Sequence, residues 1–141
     1  MGVFSEYLDR NMAFPELTAE RKRQLAIIAQ LRQRDVLVYA ADLNKANSGA
    51  PTSLDYSDLL PIRDQLANLK QPRLDVILET PGGDGTVAED IVKLLRAQFT
   101  EVGFIVPGYA KSAGTIMAMA GDEILMGAGS ALGPIDAQLF W

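Results

Sequence analysis

Short apolar runs alternate with longer segments of helical periodicity from residue 35 to the end of the chain. The strand-like runs lie at residues 36–40, 74–78, 103–106 and 124–126. Between them, apolar residues recur at helical spacing in the segments 56–69, 87–95 and 113–120. Strands joined by helices form βαβ units. Their strands run parallel because each helix returns the chain to the end of the sheet at which the preceding strand began. The pattern therefore predicts an α/β fold with a mostly parallel sheet.

The first 34 residues follow a different pattern and are predicted to form an N-terminal amphipathic helical segment. Four apolar residues recur there near helical spacing: Leu17, Leu25, Ile28 and Leu31. Because threonine favours the N-cap position, Thr18 is expected to begin a helix of about residues 18–33. We therefore expect two parts, residues 1–34 and a main domain of residues 35–141.

The composition excludes several catalytic classes, because the 141 residues contain neither cysteine nor histidine. Without cysteine there is no disulfide, no thiolate nucleophile and no cysteine-ligated zinc. Without histidine the chain lacks the commonest metal ligand and the base of a Ser-His-Asp triad. If the protein is an enzyme, its general base is a less usual side chain.

Net charge and hydropathy limit the classes of partner and the cellular locations that the sequence predicts. A net charge of -5 argues against a nucleic-acid partner, since such proteins normally carry a basic excess. The N-terminus contains acidic residues and no apolar core, so it is not a secretory signal. No uncharged apolar run approaches the roughly 18–20 residues that cross a bilayer. We expect a cytoplasmic protein, and membrane association through a segment outside this sequence stays open.

A glycine-rich segment, Glu-Thr-Pro-Gly-Gly-Asp-Gly at residues 79–85, follows the second predicted strand and precedes a helix. In parallel α/β sheets, ligands bind beyond the carboxyl ends of the strands, which is where this segment falls. Its glycines allow the backbone to approach a ligand and to present N–H groups. The same residues also suit a plain strand-to-helix turn capped by Asp84 or Thr86.

The segment also fits a loose dinucleotide fingerprint, Gly83-x-Gly85-x-x-Ala88. That fingerprint requires an acidic residue at the end of the next strand to hold the ribose. Residues 106–111 read Val-Pro-Gly-Tyr-Ala-Lys and contain no acid, so the dinucleotide interpretation is weak. A phosphate-binding loop of the Gly-Lys-Ser/Thr type is absent from the sequence.

A second segment, residues 108–115, places Ser112 between a strand end and the first turn of an apolar helix. The small neighbours Ala113 and Gly114 would leave its hydroxyl approachable. The segment resembles the Gly-x-Ser-x-Gly nucleophile elbow, with Ala110 in place of the first glycine. Alternatively, Ser112 only caps the helix. Together with the glycine-rich turn, however, it would supply a nucleophile and an oxyanion hole.

The two segments at this separation resemble the Clp protease/crotonase superfamily. Within it, they are most similar to the serine dehydrogenase proteinases and to signal-peptide-peptidase-A-like enzymes. The resemblance continues through residues 120–127 and 131–139 and covers about residues 35–141. It implies a Clp/crotonase-like ββα superhelix with a mostly parallel sheet. It also implies a serine peptidase that acts on peptide or protein substrates, needs no metal, nucleotide or organic cofactor, and forms a homo-oligomer.

The resemblance assigns roles to individual residues. Ser112 would be the nucleophile, and the oxyanion hole would come from Gly82 and Gly83 together with backbone N–H groups at Ser112 and Ala113. Asp136 lies about where Clp-type peptidases carry their histidine, so the usual triad is broken. With an unperturbed pKa of ~3.9, an aspartate is a poor base for a serine hydroxyl, although it could orient a base or a substrate. A turn residue is an equally good interpretation of Asp136.

Signal-peptide-peptidase-A-like enzymes use a lysine as the base, in a Ser-Lys dyad. The chain offers five lysines: Lys22, Lys45, Lys70, Lys93 and Lys111. Lys93 stands among acidic residues that would keep it protonated. Lys111 adjoins the nucleophile, but neighbouring side chains on an extended segment diverge, so we expect it to be exposed or to line the groove as an accessory residue. The base lysine is therefore expected outside this chain, and the apolar residues 139–141 suggest that the domain is truncated at its C-terminus.

Two alternatives remain open at the level of sequence. One is a crotonase-type acyl-CoA hydratase or isomerase, which uses the same paired amides to hold a thioester enolate. That chemistry needs glutamates in a later catalytic segment, and none stands near Ser112. The other is a catalytically inactive oligomeric scaffold that presents a peptide-binding groove, which the missing base keeps open.

Overall fold

The computed structural model describes residues 2–45, 49 and 51–135. The chain divides after Gln33 into two compact units. Among the described helices, none combines the length and the apolar character required to cross a bilayer.

The first unit contains two helices, α1 (Val3–Asp9) and α2 (Phe14–Arg32). Helix α2 begins earlier than predicted because Pro15 suits a first helical turn, so Thr18 is inside the helix and does not cap it. The Thr18 hydroxyl instead donates to the Phe14 carbonyl oxygen at 3.0 Å. None of the residues of α2 is buried, and its amphipathic character stays a prediction.

Helix α1, which spans seven residues, was not predicted. The Tyr7 phenol on α1 donates a hydrogen bond to Glu20 Oε1 on α2 at 2.6 Å. Arg23 donates to the same carboxylate, and these bonds hold the pKa of Glu20 well below its usual range. Polar contacts therefore join the two helices.

The second unit is built on a four-stranded parallel sheet in the order β1-β2-β3-β5. Its strands are β1 (Asp35–Ala40), β2 (Arg73–Glu79), β3 (Glu101–Val106) and β5 (Glu123–Met126). A second pair of two-residue strands, β4 (Tyr109–Ala110) and β6 (Ala131–Leu132), is also parallel. The predicted α/β class with a mostly parallel sheet is confirmed.

Three helices connect the strands: α3 (Leu59–Leu66), α4 (Gly85–Gln98) and α5 (Ala113–Met119). The predicted helix over 56–69 is shorter than expected. It starts with a 3-10 turn, Tyr56–Asp58, because Asp55 and Asp58 form a reciprocal cap with each other's backbone N–H groups. The other predicted helices and strands have counterparts that differ by a few residues at their ends.

The hydrophobic core lies between the sheet and the helices. Strand β2 is in the middle of the sheet and has buried residues on both faces, as expected for a parallel strand covered by helices. Helix α4 presents Val87, Ile91 and Leu95 at i, i+4 and i+8, and all three are buried. This packing anchors the glycine-rich turn between β2 and α4 at both of its ends.

A buried ion pair occupies the opposite, amino-terminal end of the strands. Asp75 on β2 is fully buried, and Arg34 Nη1 lies 3.1 Å from its Oδ1. Arg34 also reaches Glu101 at 3.3 Å and Glu123 at 3.6 Å, so it bridges three neighbouring strands. Gly103, the register partner of Asp75, leaves room for the pair, because a Cβ there would stand 2.6 Å from Asp75 Oδ1.

Candidate active site

The two segments singled out in the sequence meet at the carboxyl ends of β2 and β3. Thr80, directly after β2, pairs with Ala110 of β4. Its N–H donates to the Tyr109 carbonyl at 3.1 Å, and its own carbonyl accepts from the Lys111 N–H at 3.1 Å. These bonds hold the glycine-rich turn beside the residues that precede Ser112.

Ser112 has an unusual backbone conformation, with φ 53° and ψ -119°. A positive φ is uncommon for a residue with a side chain and persists only where the surrounding structure imposes it. Here the Lys111 and Ser112 carbonyls accept the first hydrogen bonds of α5, from Gly114 and Thr115 at 2.9 Å each. Such a sharp turn from strand to helix is the geometry of a nucleophile elbow.

Ser112 occupies the N-cap position of α5, but its side chain makes no capping hydrogen bond to the helix. Its hydroxyl makes no hydrogen bond to any residue that the structure describes, and the residue is only partly buried. A serine held in a strained turn with its hydroxyl unengaged is available for reaction with a ligand.

Gly82 and Gly83 both require glycine. Their φ angles are 105° and 148°, in a region that other residues rarely adopt. A Cβ on Gly82 would lie 2.7 Å from the Lys111 carbonyl oxygen and 2.8 Å from Ser112 Cβ. The turn therefore packs directly against the nucleophile elbow, and no larger side chain fits between them.

The other side of the turn packs against Leu54, a buried residue that sequence reasoning did not single out. The Leu54 N–H donates to the Gly82 carbonyl at 2.8 Å, and the Leu54 carbonyl accepts from the Asp84 N–H at 2.9 Å. A Cβ on Gly83 would overlap the Leu54 backbone. The only signal for this role in the sequence is an isolated leucine among small and polar residues.

The backbone N–H groups of the turn differ in availability. The Gly82 N–H donates to Thr80 Oγ1 at 3.1 Å, so it is already engaged. The N–H groups of Gly83 and Ala113 donate to no other residue in the described part of the chain. The Ala113 nitrogen lies 3.3 Å from the position that a Cβ on Gly82 would occupy. Of the predicted donors, the N–H groups of Gly83, Ser112 and Ala113 are therefore open, in the sense that no described residue accepts from them; Gly83 is exposed, Ser112 is partly buried and Ala113 is buried.

Asp84 caps helix α4, in agreement with the interpretation of this segment as a strand-to-helix turn capped by Asp84 or Thr86. Its carboxylate accepts from the N–H groups of Thr86 at 2.8 Å and Val87 at 3.3 Å. The turn thus ends in an ordinary helix cap at Asp84 and still presents an open N–H at Gly83. The interpretation as a capped strand-to-helix turn therefore applies to Asp84, and the interpretation as a source of N–H donors applies to Gly83.

The lysines give no partner for the Ser112 hydroxyl among the described residues. Lys93 Nζ lies 2.8 Å from Glu89 on the exposed side of α4, and this contact raises the pKa of Lys93, as the sequence predicted. Lys45 pairs with Asp42 at 3.8 Å. Lys111 is exposed; its stem lies against Gly133 and its ammonium stands 4.9 Å from the centre of the Tyr109 ring.

The remaining predicted residues lie elsewhere. Lys70 is exposed after α3, and Lys22 belongs to the first unit. Asp136 lies outside the described residues. Among the described residues, no three acidic side chains come together as metal ligands.

Thr115 on α5 is a further polar residue that sequence reasoning missed. It is buried, and its hydroxyl lies 2.8 Å from the Ala110 carbonyl oxygen and 3.1 Å from the Gly133 nitrogen. It thereby joins the helix that follows Ser112 to both β4 and the segment after β6. A threonine inside an otherwise apolar helix was the available signal.

The chain is similar in sequence to a family of known proteins. The family model described as "ClpP-like SDH-type serine proteinase" matches residues 53–141, which include both segments of the site. Two uncharacterized proteins of Methanocaldococcus jannaschii are similar in sequence. MJ0137 is 46% identical over 70 residues, which make up 50% of this chain and 24% of that protein. MJ1495 is 30% identical over 127 residues, which make up 85% of this chain and 39% of that protein.

The chain thus spans between about a quarter and two fifths of the length of these two curated relatives. Among solved structures, the ClpP protease catalytic domain from Plasmodium falciparum superimposes with a TM-score of 0.49 at 11% sequence identity. That superposition covers 70% of this chain and 57% of the other.

Proposed function

This chain belongs to the ClpP-like SDH-type serine proteinase family, and on that basis we propose that it is a serine peptidase with Ser112 as its nucleophile. One observation carries the proposal. The unengaged hydroxyl of Ser112 stands in a strained elbow against a glycine turn, and the N–H groups of Gly83 in that turn and of Ala113 in the elbow donate to no other described residue.

In the proposed reaction, Ser112 Oγ attacks the carbonyl carbon of a peptide bond while a general base accepts its proton. The carbonyl oxygen becomes an oxyanion that accepts hydrogen bonds from the Gly83 and Ala113 N–H groups. Each donor of this kind is commonly worth about 3 kcal/mol in the transition state. The intermediate collapses when the amine leaves with the proton from the base, and water then hydrolyses the ester on Ser112.

We assign the base to a lysine, as in a Ser-Lys dyad, contributed from outside the described residues. The assignment is supported by the absence of histidine from the sequence and by the contacts of Lys93, Lys45 and Lys111 with other side chains. Such a lysine requires burial, because its pKa must fall by several units from about 10.4 before it can accept a proton.

We also propose a homo-oligomer that acts on peptide or protein substrates. Several apolar side chains of the second unit are exposed on α5 and β5: Ile116, Met119, Leu125 and Met126. Strand β5 is also an edge of the sheet and leaves backbone hydrogen-bonding groups available to another chain. Sedimentation velocity of the full-length protein tests this proposal, and a monomer at micromolar concentration contradicts it.

The experiment that tests the proposed function is labelling of the full-length protein with a fluorophosphonate, a reagent that phosphonylates activated serines. Wild-type protein should be labelled at Ser112, and Ser112→Ala should lose the label. Ser130→Ala is the matched control, since Ser130 is bound through its hydroxyl to the Gly127 N–H and the Pro107 carbonyl. Labelling that survives Ser112→Ala would show that Ser112 is not the nucleophile.

A catalytically inactive peptide-binding scaffold is the second candidate. It is favoured by one observation, namely that no base is hydrogen-bonded to Ser112 among the described residues. This candidate predicts that the wild-type protein resists the fluorophosphonate but still binds unfolded peptides. Labelling of Ser112 at a rate that rises with pH would contradict it.

A further inference from the structure

We propose that Thr80 is a positioning residue that aligns both donors of the oxyanion hole, an inference that rests on the proposed peptidase function. Thr80 is fully buried and directly precedes the Pro81-Gly82-Gly83 turn. It touches the turn through its hydroxyl and helix α5 through its methyl group. One side chain thus contacts the two segments that carry the N–H groups of Gly83 and Ala113.

The hydroxyl of Thr80 determines which glycine N–H is free. Thr80 Oγ1 accepts the Gly82 N–H at 3.1 Å, which turns that group toward the core and away from the ligand side. The next peptide unit is held through its carbonyl, since the Gly82 carbonyl oxygen accepts from the Leu54 N–H at 2.8 Å. Thr80 and Leu54 thus hold successive peptide units of the turn. The second of these units carries the N–H of Gly83, the donor that remains open.

The methyl group of Thr80 sets the distance between the glycine-rich turn and helix α5, which follows Ser112. Gly114 is in the first turn of α5, and a Cβ at that position would overlap Thr80 Cγ2. The threonine methyl therefore fills the space that a side chain on residue 114 would need. Ala113, which carries the second open N–H, is the residue directly before this contact.

The backbone of Thr80 completes the link. Its N–H and carbonyl groups bond to Tyr109 and Lys111, which flank Ala110 just before the elbow. Thr80 is therefore bonded both to the turn and to the segment before Ser112. Misplacement of a catalytic group by about 1 Å can reduce the rate about 100-fold. A loss of this alignment should therefore be measurable as a lower reaction rate.

Two substitutions separate the hydroxyl from the methyl group. Thr80→Val keeps the shape and removes the acceptor of the Gly82 N–H, whereas Thr80→Ser keeps the acceptor and removes the methyl. In the full-length protein, we expect Thr80→Val to lower kcat and the rate of fluorophosphonate labelling about 10- to 100-fold, with KM changed by less than about threefold. Thr80→Ser should retain labelling within about fivefold of wild type. Ile62→Val, a core substitution on α3, is the control for a loss of stability alone.

Amide hydrogen exchange supplies a readout that does not depend on activity. Loss of its acceptor should make the Gly82 amide exchange at least about tenfold faster in Thr80→Val than in Ile62→Val. A pair of variants tests the methyl contact. Gly114→Ala alone should slow labelling because its methyl overlaps Thr80 Cγ2, and adding Thr80→Ser should restore part of the rate.

The outcomes distinguish this inference from the function on which it rests. If wild-type Ser112 is not labelled, the peptidase function fails and the role of Thr80 in it fails as well. If wild type is labelled and Thr80→Val behaves like Ile62→Val in both labelling and Gly82 exchange, Thr80 has no positioning role. An effect of Gly114→Ala that is the same with threonine or serine at position 80 would also overturn the proposed coupling.

Discussion

The contact between Gly82 and the nucleophile elbow gives the most direct test of the site geometry. In Gly82→Ala, the new Cβ would have to fit 2.8 Å from Ser112 Cβ and 2.7 Å from the Lys111 carbonyl oxygen. The residue would also keep a φ near 105°, which an alanine rarely adopts. The variant therefore combines backbone strain with steric overlap at the residue that we propose as nucleophile.

The size of the effect follows from these two costs. A strained backbone conformation costs about 1–3 kcal/mol. Overpacking of a filled site costs about 1–3 kcal/mol in addition. We therefore expect Gly82→Ala to lower the free energy of unfolding by about 2–6 kcal/mol when the strain remains in the folded state. If the turn moves instead, the loss of stability is smaller and the Gly83 N–H is displaced, with a rate penalty of about 100-fold for about 1 Å.

Gly85→Ala is the matched control, because residue 85 belongs to the same glycine-rich segment. A Cβ at Gly85 meets no atom within 4 Å, and the residue begins helix α4. Alanine there should stabilise the protein slightly, by about 0.4–1 kcal/mol, because it restricts the unfolded chain. Urea unfolding and the rate of fluorophosphonate labelling, measured on both variants, give the two quantities. Gly82→Ala with the stability and labelling rate of Gly85→Ala would refute the packing described for this turn.

Three further predictions concern the rest of the second unit. Arg34→Ala should lower the free energy of unfolding by about 3–5 kcal/mol in urea, because the fully buried Asp75 loses its ion pair with Arg34. Arg34→Ala/Asp75→Asn should recover part of this loss, and equal stability of both variants would contradict the prediction. Thr115→Val should cost about 0.5–1.5 kcal/mol in the same assay by removing the bonds of its hydroxyl, while the Gly133 N–H still donates to the Ala110 carbonyl, and a neutral effect would contradict the bonds assigned to the hydroxyl. The Val102 N–H and then Arg96 lower the pKa of Asp122 below its ordinary 3.8, so its ionised form favours folding above about pH 4 and this contribution is lost as the pH falls further. Asp122→Asn should therefore show a weaker loss of stability in acid than wild type between pH 5 and pH 2, and parallel pH profiles would contradict this assignment.

The sequence alone was sufficient for the four strands of the main sheet, the helices between them and the class of the sheet, but not for α1, β4 or β6. Burial determines the spacing of apolar residues within each segment. The strands at 74–78 and 103–106 could therefore be recognised from their own residues as short apolar runs. Parallel strands end at the same edge of a sheet, and this was enough to predict that the glycine-rich turn and Ser112 would be neighbours. The predicted extents of the helices were less accurate, because Pro15 and the paired caps at Asp55 and Asp58 acted on single turns.

Only the tertiary structure decided which atoms of the site are available. The local sequence around Ser112 allows an N-cap, and it is the bonding of Thr80 and the packing of Gly82 that hold this residue at a positive φ with its hydroxyl unengaged. The two glycines of the turn are equivalent donors in the sequence, and Thr80 makes them different. Leu54 contacts the turn from about thirty residues away along the chain, and Arg34 reaches Asp75 across 41 residues. Such contacts depend on how distant segments register against one another, whereas the periodicity of a segment reports only which of its faces is buried.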